Sequence, residues 1–343
     1  ASLNGGLFEV INKNTYSVKG DNGAAVAPEG RVTTATLVNG IFNTDGTKLN
    51  FGRYLIRELE APEGYLVEGT PEATVEITEN GKICEVVLSD EVKKGDFKLQ
   101  KNDIETGTYA QGDTNLQATF KITNTGANPV WVDTNGDGKV TDDEMYASGA
   151  TIKLPASHVT TGTVNDGTFT TDENGYFEIT GKTLPYSTYH VEETVPPTGY
   201  RADNGSITST DFTIDTDGQV ADLTSVIKNA PITGTFDIQK MLSSENNGMS
   251  TTSKPEAGVE FTAILKKTVD EKFGGDYKAA YKYMFGFEPN VEGNPTPDDS
   301  KVINDENGNI LFTTKEYDVV TTNNSGMAYS RDLAYGEYYI FQS

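Results

Sequence analysis

Leu184-Pro185-Tyr186-Ser187-Thr188-Tyr189-His190-Val191-Glu192-Glu193, running on to Pro196-Pro197-Thr198-Gly199-Tyr200, is the stretch on which the reading of this chain turns. The same phrase, Leu-x-aromatic-(Gly/Ser)-x-Tyr-x-(Ile/Val)-x-(Glu/Gln), recurs from Leu49 to Glu58 and from Leu333 to Gln342. The first copy also runs on into Ala61-Pro62-Glu63-Gly64-Tyr65. In a strand, side chains two apart share a face. Tyr189, Val191 and Glu193 therefore lie together, and a carboxylate ends up pointing where a sandwich core should be.

Each phrase is preceded by an alternating segment built on a phenylalanine: 6–11 around Phe8, 118–122 around Phe120 and 258–264 around Phe261. Such alternation marks strands with one buried face. After the Pro-x-Gly-Tyr turn come 74–77 with Asn80-Gly81 and 211–214 with Asp217-Gly218, dipeptides that suit the tight turn of a closing hairpin. A further strand is expected over 83–88, with Cys84 as an inert apolar group. Two short junctions align, 87–97 with 227–236, and lead into new first strands at Phe97-Lys98-Leu99-Gln100-Lys101 and Phe236-Asp237-Ile238-Gln239-Lys240. Linkers this short imply units stacked end to end as a semi-rigid rod. The expected units are 1–93, 94–231 and 232–343, with an insertion at about 266–301 in the third that holds one helix from Val269 to Met284, weakened by Gly274-Gly275.

The composition agrees with an all-β chain: 35% hydrophobic residues, 35 glycines, 17 tyrosines and 15 phenylalanines in 343 residues. Asp and Glu number 51 against 27 Lys and Arg, a net of −24, so a nucleic acid would be repelled rather than bound. A single cysteine excludes an internal disulfide and any cysteine-based zinc site. The sequence contains no run long enough for a transmembrane segment, and its first residues lack a signal-peptide pattern. It reads as a mature segment with cut ends.

These features together resemble the B-type repeat domains of Gram-positive collagen-binding adhesins and the related SpaA-type pilin domains. The resemblance rests on the first-strand G-x-(F/L)-x-L-x-K, the Phe strand, the Tyr-x-(Ile/Val)-x-Glu box, the A-P-x-G-Y turn and the terminal (V/I)-x-N, in fixed order. It implies tandem prealbumin-like, Ig-like β-sandwiches, and an amide formed spontaneously between a first-strand Lys and a last-strand Asn or Asp with help from the box Glu. Carried over, the second unit is complete: Lys101 as nucleophile, Asn229 as electrophile and Glu193 as proton shuttle. The first unit supplies Glu58 and Asp90, its Lys falling before residue 1. In the third, Lys240 matches but Gln342 replaces the Glu. Physically, burial strips the Lys of its proton and keeps the Glu neutral, able to donate to the carboxamide oxygen, while enforced proximity removes the cost of encounter.

A separate motif, from Asp133 to Glu144, has the spacing of a twelve-residue calcium loop. Oxygen donors stand at Asp133, Asn135, Asp137 and Thr141, with the backbone carbonyl of Lys139, Gly138 at the sharp-turn place and Glu144 able to bind through both oxygens. No helix is expected before it, because 128–132 reads as a strand, so calcium would be structural.

For chemistry on a separate substrate the chain offers two histidines and no phosphate loop. The reading is a non-enzymatic stalk of an extracellular, wall-attached adhesin or pilin, whose partners are neighbouring domains or pilus subunits. A competing reading makes the Tyr-rich insertion, with Tyr277, Tyr281, Tyr283, Phe285 and Phe287, a binder of a host glycan or matrix protein. Another makes the chain an accessory region of a secreted carbohydrate-active enzyme.

Overall fold

The computed structural model describes residues 2–343 except 45–48, 68, 70, 204 and 247–248. It is all-β, with tandem sandwich units. In each, the Phe strand pairs antiparallel with the strand of the repeated phrase, here the Tyr strand: Leu7–Asn12 with Gly52–Glu60, Thr119–Asn124 with Ser187–Val195, and Glu260–Leu265 with Tyr338–Gln342. The register repeats as well. Phe8 faces Glu58, Phe120 faces Glu193 and Phe261 faces Gln342.

The phrase tyrosine is what anchors each strand start. Tyr54, Tyr189 and Tyr338 all donate their hydroxyl to the backbone carbonyl four residues earlier, on Asn50, Pro185 and Ala334, at 2.9, 2.5 and 2.7 Å. Tyr54 and Tyr189 are fully buried, so this bond satisfies a polar tip that burial would otherwise penalise.

The second unit has two sheets. One runs Thr163–Asn165, Thr168–Thr170, Thr119–Asn124, Ser187–Val195, Ser209–Ile214. The other centres on Lys94–Gln100, flanked by Tyr176–Ile179 and Leu184–Pro185. Phe97, Phe120, Phe169, Phe177, Tyr189 and Phe212 fill the space between, with ring centroids 4.4 to 5.6 Å apart.

Two expectations about the closing strands need correction. Asp217-Gly218 does not close a hairpin: Val220–Leu223 crosses to the opposite sheet and pairs parallel with the first strand, Val220 opposite Asp96 through Leu223 opposite Leu99. In the first unit, residues 83–90 form no strand at all. The parallel partner that holds Val220–Leu223 has no counterpart there among the described residues, and a strand without a ladder leaves its backbone to water. Ile83 and Val87 are accordingly 84% and 88% exposed.

The insertion in the third unit holds two helices rather than one, α1 (Lys266–Phe273) and α2 (Tyr277–Phe285). Gly274 and Gly275 both adopt positive φ, which ends α1. The Asp276 side chain then accepts from the backbone N–H of Lys278 and Ala279 to start α2.

Candidate functional site

In the second unit, Lys101 directly follows the first strand, Lys94–Gln100, and Asn229 lies on Lys228–Pro231, which pairs parallel with Asn102–Asp103. Chain topology thus brings the two ends of the unit side by side. Glu193 reaches the same place from the Tyr strand, where a register shift between Thr119 and Phe120 lets the strand bend. Lys101 and Asn229 are 0% exposed and the Glu193 side chain 1%.

The Lys101 Nζ stands 3.7 Å from Glu193 Oε1 and donates to the Asn102 carbonyl at 3.2 Å. Asn229 Nδ2 donates to Glu193 Oε2 at 2.9 Å. Glu193 Oε1 and Asn229 Oδ1 have no hydrogen-bond partner. The carboxylate therefore spans amine and amide, facing the amide nitrogen rather than the oxygen expected from sequence. Burial pushes the Lys101 amine down to about 8, opposed by Glu193 and Asp103. Burial also raises Glu193, against the pull of Lys101. Both shifts favour a neutral pair, the form that can react.

The first unit repeats the acidic half. Glu58 is 3% exposed, and neither of its oxygens nor Asp90 Oδ1 meets a hydrogen-bond partner. Burial, then the adjacent Asp90, raises Glu58 to about 7. In the third unit Lys240 is partly exposed, 3.5 Å from Gln342 Oε1 and 3.9 Å from Glu256.

The Asp133 to Glu144 loop is closed at its base by a two-residue ladder, Val130–Trp131 with Met145–Tyr146, and its end is a 3-10 turn, Asp142–Glu144. The carboxylates of Asp133, Asp137 and Glu144 offer oxygens within 4.8 Å of one another. Asp133 accepts from the N–H of Gly136 and Gly138, Asn135 from Asp137, and Asp137 from Lys139. Glu144, nearly buried, accepts from the Thr134 N–H and hydroxyl, and from Trp131 and Thr141. The Thr134 hydroxyl bond is the main reason its carboxyl is held down at about 2. Three converging anions on a pre-bent loop suit a hard cation.

Tyr277, Tyr281, Phe285 and Phe287 of the insertion pack inward, whereas Tyr283 is 42% exposed. Tyr281 is 1% exposed, with Phe285, Phe287 and Phe341 around it. They form a satellite core beneath the helices. Sequence reading missed Asp103, which is 2% exposed, opposite Asn229 in register, and bonded to Tyr200 and Gln111. Its place two residues after Lys101 was the available signal.

Residues 1–92 match the SpaA prealbumin-like fold domain and residues 123–238 the SdrD B-like domain. Serine-aspartate repeat-containing protein C of Staphylococcus aureus strain N315 is 28% identical over 236 residues, 65% of this chain and 21% of that protein. Its counterpart in strain Newman is 34% identical over 153 residues, 45% of this chain and 14% of that protein. The chain thus spans 21% or less of the length of these relatives. Among solved structures, the Bacillus anthracis TIE protein aligns over 100% of this chain and 42% of its own, at 19% identity and a TM-score of 0.47. The shaft pilin SpaA from Lactobacillus rhamnosus GG aligns over 67% of this chain and 88% of its own, at 22% identity and a TM-score of 0.25.

The class is therefore an all-β array of prealbumin-like sandwiches. The chain carries B-type repeat domains of Gram-positive surface proteins.

Proposed function

We propose that this chain is a stalk segment of an extracellular, wall-attached adhesin or pilin, and that its second unit is welded by an amide between Lys101 and Asn229. The observation that carries this is the dry triad, with the Lys101 amine and the Asn229 amide nitrogen on opposite oxygens of one buried carboxyl group. The neutral Lys101 amine attacks the Asn229 carboxamide carbon. Glu193 takes the proton from the amine and returns it to the departing nitrogen, so a C–N bond forms, a C–N bond breaks, and ammonia leaves. No external reagent is needed. Holding the groups in place supplies what a bimolecular encounter would otherwise cost.

The Asp133 to Glu144 loop fits calcium by donor type and spacing. Asp133, Asp137 and Glu144 would hold the ion with Asn135, Thr141 and the Lys139 carbonyl, which would neutralise three crowded carboxylates and stiffen the loop. Suppressing local opening in this way protects a surface protein from proteases. The chain itself has no enzymatic role toward other molecules. Among the described residues no helix is long and apolar enough to cross a membrane.

Intact-mass measurement of the denatured chain tests the weld. One ammonia fewer than the sequence requires, with Lys101 and Asn229 in a single branched tryptic peptide, is the expected result. The full unmodified mass overturns it.

A further inference from the structure

The Pro-x-Gly-Tyr turn follows the repeated phrase within the first and the second unit in sequence, yet in space each of these two turns meets the phrase of the next unit. At the first joint, Gly64 has φ +88° and its carbonyl accepts from the N–H of Lys93 at 2.9 Å. The Lys93 carbonyl in turn accepts from the N–H of Tyr186 at 2.8 Å, and the Tyr186 hydroxyl returns to Glu63 at 2.6 Å. At the second joint, Gly199 has φ +80° and its carbonyl accepts from Ile232 at 2.8 Å, whose carbonyl accepts from Tyr335 at 3.0 Å.

The residues just beyond keep the same register. Lys94 and Gly95 pair with Pro185 and Leu184, as Thr233 and Gly234 pair with Ala334 and Leu333. A methyl group on Gly199 would stand 3.0 Å from the Tyr335 ring, so the turn lies directly on the aromatic. The second joint is further held by a tongue from the second unit, where Gly112 N–H donates to buried Glu316 at 2.7 Å and Asp113 N–H to the Tyr335 carbonyl at 2.7 Å.

We infer that the Pro-x-Gly-Tyr turn and the Leu-x-aromatic phrase are two halves of a coupler between consecutive units, closed by one linker residue that is hydrogen-bonded on both sides. The partner this surface fits is the Pro-x-Gly-Tyr turn of the preceding B-type unit. Left-handed glycine is needed because the turn must present its carbonyl while lying against a ring. The coupler fixes the angle between units, and it does so whether or not the Lys101 weld forms.

Pulsed dipolar EPR on the full chain, with Cys84→Ser and spin labels at exposed strand positions, reads this directly. Labels at Glu76→Cys and Thr213→Cys span the first joint; Thr213→Cys and Thr321→Cys span the second. A single narrow distance is expected for each pair. Lys93→Pro with Tyr186→Ala removes the linker N–H and the ring, and should broaden only the first. Ile232→Pro with Tyr335→Ala should broaden only the second, with circular dichroism confirming that the strands persist. A broad distribution in the parent chain, or narrow peaks surviving in both double variants, overturns the inference.

Discussion

Replacing Glu193 by Gln isolates the chemistry of the weld from its packing. The side chain keeps its size and can still hydrogen-bond both neighbours, but it cannot carry a proton from amine to leaving nitrogen. The Lys101–Asn229 amide closes a loop of about 130 residues, and a crosslink of that span removes about 5 kcal/mol of chain entropy from the unfolded state. For a unit of this size each kcal/mol moves the melting point by about 2–4 °C, so the variant should melt roughly 10–20 °C lower. Calorimetry on the full chain, read with the intact mass, is the assay. The variant should regain the mass of one ammonia and lose that stability together. If it stays crosslinked, Glu193 is not the shuttle; if it loses the crosslink and melts where the parent does, the link has no part in stability.

In chain first folded from material kept unfolded since synthesis, weld formation should slow at low pH, where the Lys101 amine, lowered to about 8, is protonated, and slow again at high pH, where the neutral carboxyl of Glu193 is lost; a rate by timed mass analysis that keeps rising at high pH contradicts this. In the first unit, Glu58 is raised to about 7, so the folded state binds a proton that the unfolded chain releases near pH 4.5. Stability of that unit is then present below about pH 4.5 and declines as pH rises to about 7, by up to about 3 kcal/mol, and Glu58→Gln should flatten that slope in urea titrations. Calcium should bind the Asp133 to Glu144 loop with a calorimetric signal and slow its cleavage by protease. Glu144→Ala should abolish both effects, and unchanged cleavage with and without calcium argues against the ion.

The repeated phrase was legible because its cause is local. A period of two puts Tyr, Ile or Val, and Glu on one face, and that face became the register Phe8–Glu58, Phe120–Glu193 and Phe261–Gln342. Lys101, Glu193 and Asn229 were reachable only through family resemblance, since nothing in their spacing says that strands so far apart in sequence converge. The path of residues 83–90 could not be read from their apolar pattern, because a strand exists only where a partner offers a ladder. The helix over the insertion failed at Gly274-Gly275, where backbone freedom outweighs the periodicity on either side. The tongue that carries Gly112 to Glu316 had no sequence signal, as its meaning depends on which unit lies beside it.

The first and last strands of the second unit run in the same direction, Asp96 to Leu99 beside Val220 to Leu223 and Asn102 to Asp103 beside Lys228 to Asn229. Tension applied at the two termini therefore slides these strands lengthwise past each other instead of peeling them apart. Every rung of the ladder shares the load at once, so this unit resists extension through its geometry even in a molecule whose lysine has not yet reacted.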